Sequence, residues 1–240
     1  SFLLVVVYAV AGSRVGLFRL NTMFMPFVLF VSIIILIFNV QLIDTNNFMP
    51  LFKTSAGDHA QGLIMMIAIF TAGSAGVVLF YASLVESETK LPKLAVYGTL
   101  LPAILFFLFH FVAIGVFGNN VTGNLLYASI ELGKSVDVPG GVFERFESIF
   151  FTIWVMTVFN LTTMVVDLSA VALQSIFKNT KKVHILFIMT PIIYFVSMLP
   201  QNMEESAIFG EVLVYCLLIY PIVITFILFI VSKIRGVKGS

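Results

Sequence analysis

One aspartate inside a long apolar stretch is the residue best placed to do chemistry. Asp167 shares its predicted helix with Asn160, Thr163 and Gln174. At 100° per residue, these four side chains lie on one narrow stripe. A charge at mid-membrane costs about 2.5–3.5 kcal/mol even on lenient scales, so such residues usually face a cavity or a partner. Two interpretations stay open: recognition of a cation, proton or small ligand, or a protonated aspartate in a hydrogen bond between helices.

A run of small residues in the stretch 62–86 is the second candidate site. Glycine costs about 1 kcal/mol relative to alanine inside a helix, so two glycines three residues apart mark a weak point. A break there would expose backbone groups that can hold a small charged substrate, as in transporters. The alternative is close packing of another helix against a small-xxx-small pair. The residues concerned are Thr71, Ala72, Gly73, Ser74, Ala75 and Gly76.

The remaining polar residues give no catalytic or metal-binding pattern. His110 lies between phenylalanines, which is typical of a hydrogen-bonded packing residue more than of a proton relay. Cys216 is the single cysteine, and no cluster of Cys and His has the spacing of metal ligands. We see no nucleophile–base pair, phosphate-binding glycine loop or paired catalytic carboxylates. The sequence therefore predicts neither an enzyme nor a cofactor.

Composition indicates an integral membrane protein of the all-α polytopic class. Of 240 residues, 60% are hydrophobic and 10% are charged, whereas soluble domains carry about 25% charged residues. The net charge of +1 argues against a nucleic-acid surface. Apolar runs recur along the whole length, which predicts one transmembrane domain in contact with the lipid bilayer. Because the chain starts inside such a run, we expect a truncated N-terminus.

The apolar runs predict six complete membrane spans and one partial span. The predicted spans are 1–12 (partial), 22–40, 62–86, 95–117, 148–177, 183–199 and 209–231. Residues 13–21 are expected to form a loop. Within the long connection 118–147, we expect a short helix over Asn124–Leu132 and a turn at Val138–Gly141. Glu144, Arg145 and Glu147 then form either an interfacial anchor or an outer gate.

The distribution of basic residues predicts the orientation of these spans. Alternate connections hold ten of the thirteen Lys and Arg residues, and the positive-inside rule places them and the C-terminus in the cytoplasm. The ten are Arg14, Arg19, Lys90, Lys93, Lys178, Lys181, Lys182, Lys233, Arg235 and Lys238.

Several runs of the chain resemble the spore germination permease family, the B subunit of nutrient germinant receptors. The first is Ala128–Val155, with Val138-Pro139, an acidic-basic run at 144–147 and then Trp154. The basic run Gly12–Pro26 and the stretch Asn46–Phe52 also fit, as does Pro200-Gln201-Asn202. Their order and spacing cover nearly the whole chain.

The resemblance implies a fold and a function. The fold is a ten-helix member of the amino acid–polyamine–organocation superfamily with two inverted five-helix repeats, here without about the first three to four helices. Span 62–86 then corresponds to the sixth helix, which is unwound at the substrate, so we expect its hydrogen bonding to break between Thr71 and Gly76. Proton-coupled relatives in this superfamily often carry a lysine in the fifth helix. The span 22–40 corresponds to that helix and has no lysine, which argues against proton coupling. The implied role is nutrient sensing in the spore inner membrane, with A-type and C-type receptor subunits as partners; the alternative is a cation-coupled amino acid transporter.

Overall fold

The chain is almost entirely helical. The computed structural model describes residues 2–49, 55–81, 91–125, 127–136 and 146–235, and no β-strand occurs in these ranges. The predicted turn at Val138–Gly141 and the side chains of Glu144, Arg145 and Glu147 lie outside the described part. The helices are α1 (Phe2–Ala11), α2 (Arg14–Val40), α3 (Ala56–Tyr81), α4 (Leu91–Phe117), α5 (Asn119–Asn124), α6 (Ala128–Lys134), α7 (Phe146–Ile176), α8 (Lys182–Ser197) and α9 (Met203–Ile234).

Three described helices are long and apolar enough to cross a membrane. They are Arg14–Val40, Lys93–Phe117 and Ser148–Ile176, and each covers one predicted span. A hydrocarbon core about 30 Å thick needs about 20 residues of helix, and all three exceed this length. Large apolar side chains are exposed along these helices, for example Phe30, Phe107 and Leu161. Such surfaces suit contact with lipid or with other membrane helices.

The helices divide into two compact units. The first contains residues 1–53 and 100–190, and the second contains residues 54–99 and 191–240. In the first unit, a buried apolar core joins α2, α4, α6 and α7 through Ile35, Val112, Leu132 and Phe150. In the second unit, α3 packs along α9.

Helix α2 begins earlier than the sequence predicted. Residues 14–21, expected as a loop, form its first two turns. The Ser13 hydroxyl accepts a hydrogen bond from the Gly16 backbone N–H at 3.1 Å, which is an ordinary N-cap. The two arginines in this segment suggested a loop, but a helix end outside the apolar region accommodates them equally well.

The expected break in the middle of α3 is absent. The helix runs without interruption from Ala56 to Tyr81, so the prediction of an opening between Thr71 and Gly76 was wrong. Gly73 and Gly76 cost about 1 kcal/mol each in a helix. Ala72 precedes the first glycine and Ala75 lies between the two, and alanine has the highest helix propensity of all residues. Opening the helix would cost several kcal/mol for each unpaired backbone group in an apolar surrounding, so the closed helix is favoured.

The start of α3 carries a reciprocal cap. The Ser55 hydroxyl accepts from the Asp58 N–H at 3.2 Å, while Asp58 accepts from the Ser55 hydroxyl at 2.8 Å and from the Ser55 N–H at 3.0 Å. These bonds to the hydroxyl and then to the backbone lower the pKa of Asp58 below its ordinary value. The cap is therefore retained at neutral pH and is lost only in acid.

The connection after α4 contains two short helices. The sequence predicted one helix over Asn124–Leu132, but α5 ends at Asn124 and α6 starts at Ala128. Gly133 of α6 lies against the ring of Phe150, since a Cβ there would be 2.6 Å from the ring. This connection therefore lies at the start of α7, about 25 Å along the helix from Asp167. The basic turn before α8 follows the other end of α7, so the two connections lie at opposite ends of this helix, as predicted.

Asn39 links this connection to the end of α2 through hydrogen bonds. Its side chain is fully buried, and its amide N–H donates to the Ile35 and Leu132 carbonyls, both at 2.9 Å. Its amide oxygen accepts from the Ser135 hydroxyl at 2.6 Å. A buried amide with partners on two elements fixes their relative position, because each lost bond leaves a buried polar group unpaired.

We expect Asn39→Leu to lower the free energy of unfolding by about 1–3 kcal/mol, since it removes these bonds at nearly constant volume. The measurement is thermal unfolding of the purified full-length protein in detergent. Asn124→Leu is the matched control, because the exposed Asn124 amide bonds, among the described residues, only to the Asn120 carbonyl. Equal shifts for the two variants would contradict a structural role for Asn39.

Candidate functional site

The buried carboxylate of Asp167 binds two cationic side chains. Its Oδ2 lies 2.8 Å from Arg14 Nε and its Oδ1 lies 2.5 Å from Lys182 Nζ. The Asp167 side chain is completely buried, while those of Arg14 and Lys182 are 27% and 17% exposed. The carboxylate is thus enclosed by protein, and its two partners are partly exposed.

Three helices supply this ion cluster. Arg14 is the first residue of α2, Lys182 is the first residue of α8, and Asp167 lies nine residues before the end of α7. At 1.5 Å per residue, the aspartate is about 14 Å from the end of its helix. Since helix N-termini carry partial positive charge, the starts of α2 and α8 suit a nearby carboxylate. The cluster therefore joins one end of α2, α7 and α8.

This arrangement bears on the interpretations of Asp167. The contacts with Arg14 and Lys182 favour the structural interpretation, and a role of Asp167 in ligand recognition stays a prediction. Attraction between opposite charges compensates the desolvation of the aspartate. Sequence reasoning missed both partners. The available signal was that Arg14 and Lys182 belong to the same set of basic connections, so they lie at the same end of the helices.

Three residues of the predicted stripe on α7 are buried, and the fourth, Gln174, is half-buried. Thr163 is fully buried and Asn160 is 7% exposed. The Thr163 hydroxyl donates to the Asn160 carbonyl at 2.8 Å. The Asn160 side-chain oxygen has no hydrogen-bond partner among the described residues. A buried acceptor without a donor costs about 1–3 kcal/mol, so this position suits a donor from water or a ligand.

Helix α1 contributes to the burial of α7. It packs along α7, its Val6 and Val10 are fully buried, and Phe2 lies edge-on to Phe159 with ring centroids 6.3 Å apart. Helix α1 therefore covers part of α7 with an apolar surface.

The small residues of α3 belong to a different compact unit from this stripe. The structure describes the backbone of Thr71, Ala72, Gly73, Ser74 and Gly76, which is helical. These residues belong to the second unit, while Asn160, Thr163 and Asp167 belong to the first. Their role as ligand-binding residues stays a prediction.

His110 has the environment expected of a packing residue. Its Nδ1 donates to the Phe106 carbonyl at 3.0 Å, and its ring lies 4.1 Å from that of Phe106. Within the described residues, no group of three His, Cys, Asp or Glu side chains could hold a metal ion.

Comparison with known proteins identifies the family. A family model described as "Spore germination protein" matches residues 1–206. The chain belongs to the spore germination protein family. Its relatives include the spore germination protein GerLB of Bacillus cereus, 35% identical over the whole chain. The spore germination proteins A2 and YndE of Bacillus subtilis (strain 168) are 25% and 22% identical over 98% and 95% of the chain.

The match covers only part of these relatives. The chain spans between 62% and 64% of their lengths. No solved structure matches the chain. Family membership and the three long apolar helices together indicate that the chain is an integral membrane protein.

We expect Asp167→Asn to lower the free energy of unfolding by about 1–3 kcal/mol, because it leaves two partly buried cations without their carboxylate. Arg14→Met alone should cost less, since Lys182 still compensates the aspartate, and Arg14→Met should cost little when added to Asp167→Asn. The measurement is thermal unfolding of the full-length protein and its variants.

Glu131→Gln is the control for removal of a charge. Glu131 pairs with Lys134 at 2.8 Å on the surface, where their side chains are 39% and 54% exposed, and such pairs contribute about 0–1 kcal/mol. A loss for Asp167→Asn no larger than that for Glu131→Gln would contradict a structural role for the ion cluster.

Proposed function

We propose that this protein is the permease-like subunit of a nutrient germinant receptor, which binds a small nutrient and takes part in triggering spore germination. The observation that carries the proposal is membership of the spore germination protein family over most of the chain. The nutrient we favour is an amino acid. Its partners are A-type and C-type receptor subunits, and its location is the spore inner membrane with the C-terminus in the cytoplasm.

We assign nutrient binding to the polar residues of α7, and we keep the small residues at 71–76 of the second unit as a separate candidate. The Asn160 oxygen supports this assignment, since it is a buried acceptor without a partner in the described residues. An ammonium group is a strong donor and would satisfy it. Thr163 lies one turn further along the same face and adds a hydroxyl oxygen. Gly73 has no side chain, which permits close approach of a ligand to the helix backbone.

Asp167 then acts on the conformational equilibrium and not as a ligand. The cluster with Arg14 and Lys182 joins α2, α7 and α8. A nutrient can shift an equilibrium between two arrangements of these helices only if it binds the two arrangements with different affinities. A state in which α2 or α8 moves away from α7 would expose this carboxylate. The ion cluster therefore stabilises the conformation described here.

Cation-coupled amino acid transport is the competing function, and the ion cluster argues against it. A coupling cation needs a carboxylate or a set of free oxygens, but Arg14 and Lys182 already neutralise Asp167. Uptake of radiolabelled amino acids into proteoliposomes distinguishes the two functions. We expect no accumulation driven by a sodium or proton gradient, and gradient-driven accumulation would establish transport.

We expect Thr163→Val to reduce the nutrient sensitivity of spores at least about fivefold, since loss of one hydrogen bond costs about 1 kcal/mol or more. The matched control is Thr162→Val, whose hydroxyl bonds only to the Val158 carbonyl on the neighbouring, half-buried face. The measurement is the nutrient dose-response of spores with protein level checked by immunoblot. Equal responses of the two variants would remove Thr163 from the site.

We expect Gly73→Leu to insert normally, because leucine is apolar and a better helix former than glycine. The nutrient response should nevertheless fall sharply, because the side chain fills the space beside the helix backbone. Gly62→Leu on the same helix is the control, since a Cβ there meets nothing within 4 Å. A normal dose-response for Gly73→Leu at normal protein level would exclude this part of α3 from nutrient binding.

A further inference from the structure

A cavity of about 750 Å³ lies within the first unit, at the end opposite the ion cluster. It is bounded by α2, α4, α7 and the short helices α5 and α6. None of the stripe residues Asn160, Thr163 and Asp167 lines it. The volume falls in the range of about 300–1,000 Å³ that is typical of small-molecule sites.

The chemistry of the cavity wall selects against charged ligands. Its lining contains no Asp, Glu, Lys or Arg side chain among the described residues. An aromatic wall is formed by Tyr127 and Trp154, whose ring centroids lie 5.9 Å apart at an interplanar angle of 63°. The polar side chains in the lining are neutral, among them Ser32, Asn119 and Thr157. An ammonium or carboxylate group would therefore lie beside this wall without an oppositely charged partner. An uncharged ring, in contrast, gains from contact with aromatic side chains.

His110 gives the cavity one hydrogen-bond acceptor. The Phe106 carbonyl can only accept, so Nδ1 of His110 carries the proton of the neutral ring. Nε2 is then an acceptor, and it has no partner among the described residues. The ring lines the cavity, so a ligand with a hydroxyl or N–H group can satisfy it.

We propose that this cavity is a second binding site, for a small uncharged molecule that combines an aromatic ring with one hydrogen-bond donor. The ring packs against Tyr127 and Trp154, and the donor binds Nε2 of His110. Since the cavity and the α7 stripe share no residue, the proposal holds whether or not the stripe binds a nutrient.

The test uses the full-length protein in detergent and 4-nitrobenzyl alcohol as the probe, an uncharged nitroaromatic ring with one hydroxyl. Trp154 lies in the cavity wall, and contact with a nitroaromatic ring quenches its fluorescence. Subtracting the signal of Trp154→Phe isolates this emission. We expect saturable quenching by the alcohol. The zwitterion 4-nitrophenylalanine should bind at least about tenfold more weakly, because its charges find no oppositely charged side chain in the described lining.

Two substitutions locate the probe. Gly123→Leu places a side chain in the cavity without a clash, since a Cβ there meets nothing within 4 Å, and should weaken binding at least about tenfold. Gly98→Leu is the matched control, because Gly98 is equally open but lies outside the cavity. His110→Phe should weaken binding of the alcohol about fivefold and leave binding of 4-nitrotoluene, which lacks the hydroxyl, unchanged.

Several results would overturn the proposal. If another part of the full-length protein or a lipid fills the cavity, the alcohol will not quench Trp154. Equal affinity for the alcohol and the zwitterion would show that the wall does not select against charge. Equal effects of Gly123→Leu and Gly98→Leu on affinity, with both proteins monodisperse by size exclusion, would place the probe elsewhere.

Discussion

The ion cluster of Asp167, Arg14 and Lys182 is the constraint that organises the first unit. A buried carboxylate in an apolar helix is costly, and only partners from other elements can compensate it. Here both partners are the first residues of their helices. The cluster therefore sets the position of the starts of α2 and α8 relative to α7, and the Ser13 cap keeps Arg14 helical. Loss of the carboxylate would leave two like charges near each other at the meeting point of three helices.

A second polar contact holds the opposite end of the same unit. Asn39 joins the end of α2 to α6, and Gly115 permits close approach of the chain after α2, since a Cβ there would lie 2.9 Å from Ile43. Between the two ends the packing is apolar, through residues such as Ile35, Val112 and Phe150. Apolar contacts depend little on direction, so they set the position of one helix along another less strictly than hydrogen bonds, which are directional. The two polar contacts thus define the register of α2 against its neighbours.

The sequence predicted the helices and the buried stripe well, because both depend on local patterns. A period of 3.6 residues placed Asn160, Thr163, Asp167 and Gln174 on one face, and the first three are buried in the structure. The partners of Asp167 were not predictable, because Arg14 is 153 residues away along the chain and pairing depends on packing. The break at 71–76 was wrong because glycine content was weighed above the cost of unpaired backbone groups in an apolar environment. The early start of α2 was missed because a capped helix can carry arginines outside the apolar region.

The central claim, that the protein is a nutrient receptor subunit, is tested most directly by deletion of its gene in the spore-forming parent. Spores of the deletion strain, of the parent and of a strain complemented with the full-length gene are each exposed to single amino acids, and germination is followed by loss of optical density. We predict that the deletion abolishes or strongly slows the response to at least one amino acid and that complementation restores it. An unchanged response to every amino acid, with normal spore yield, would contradict the account.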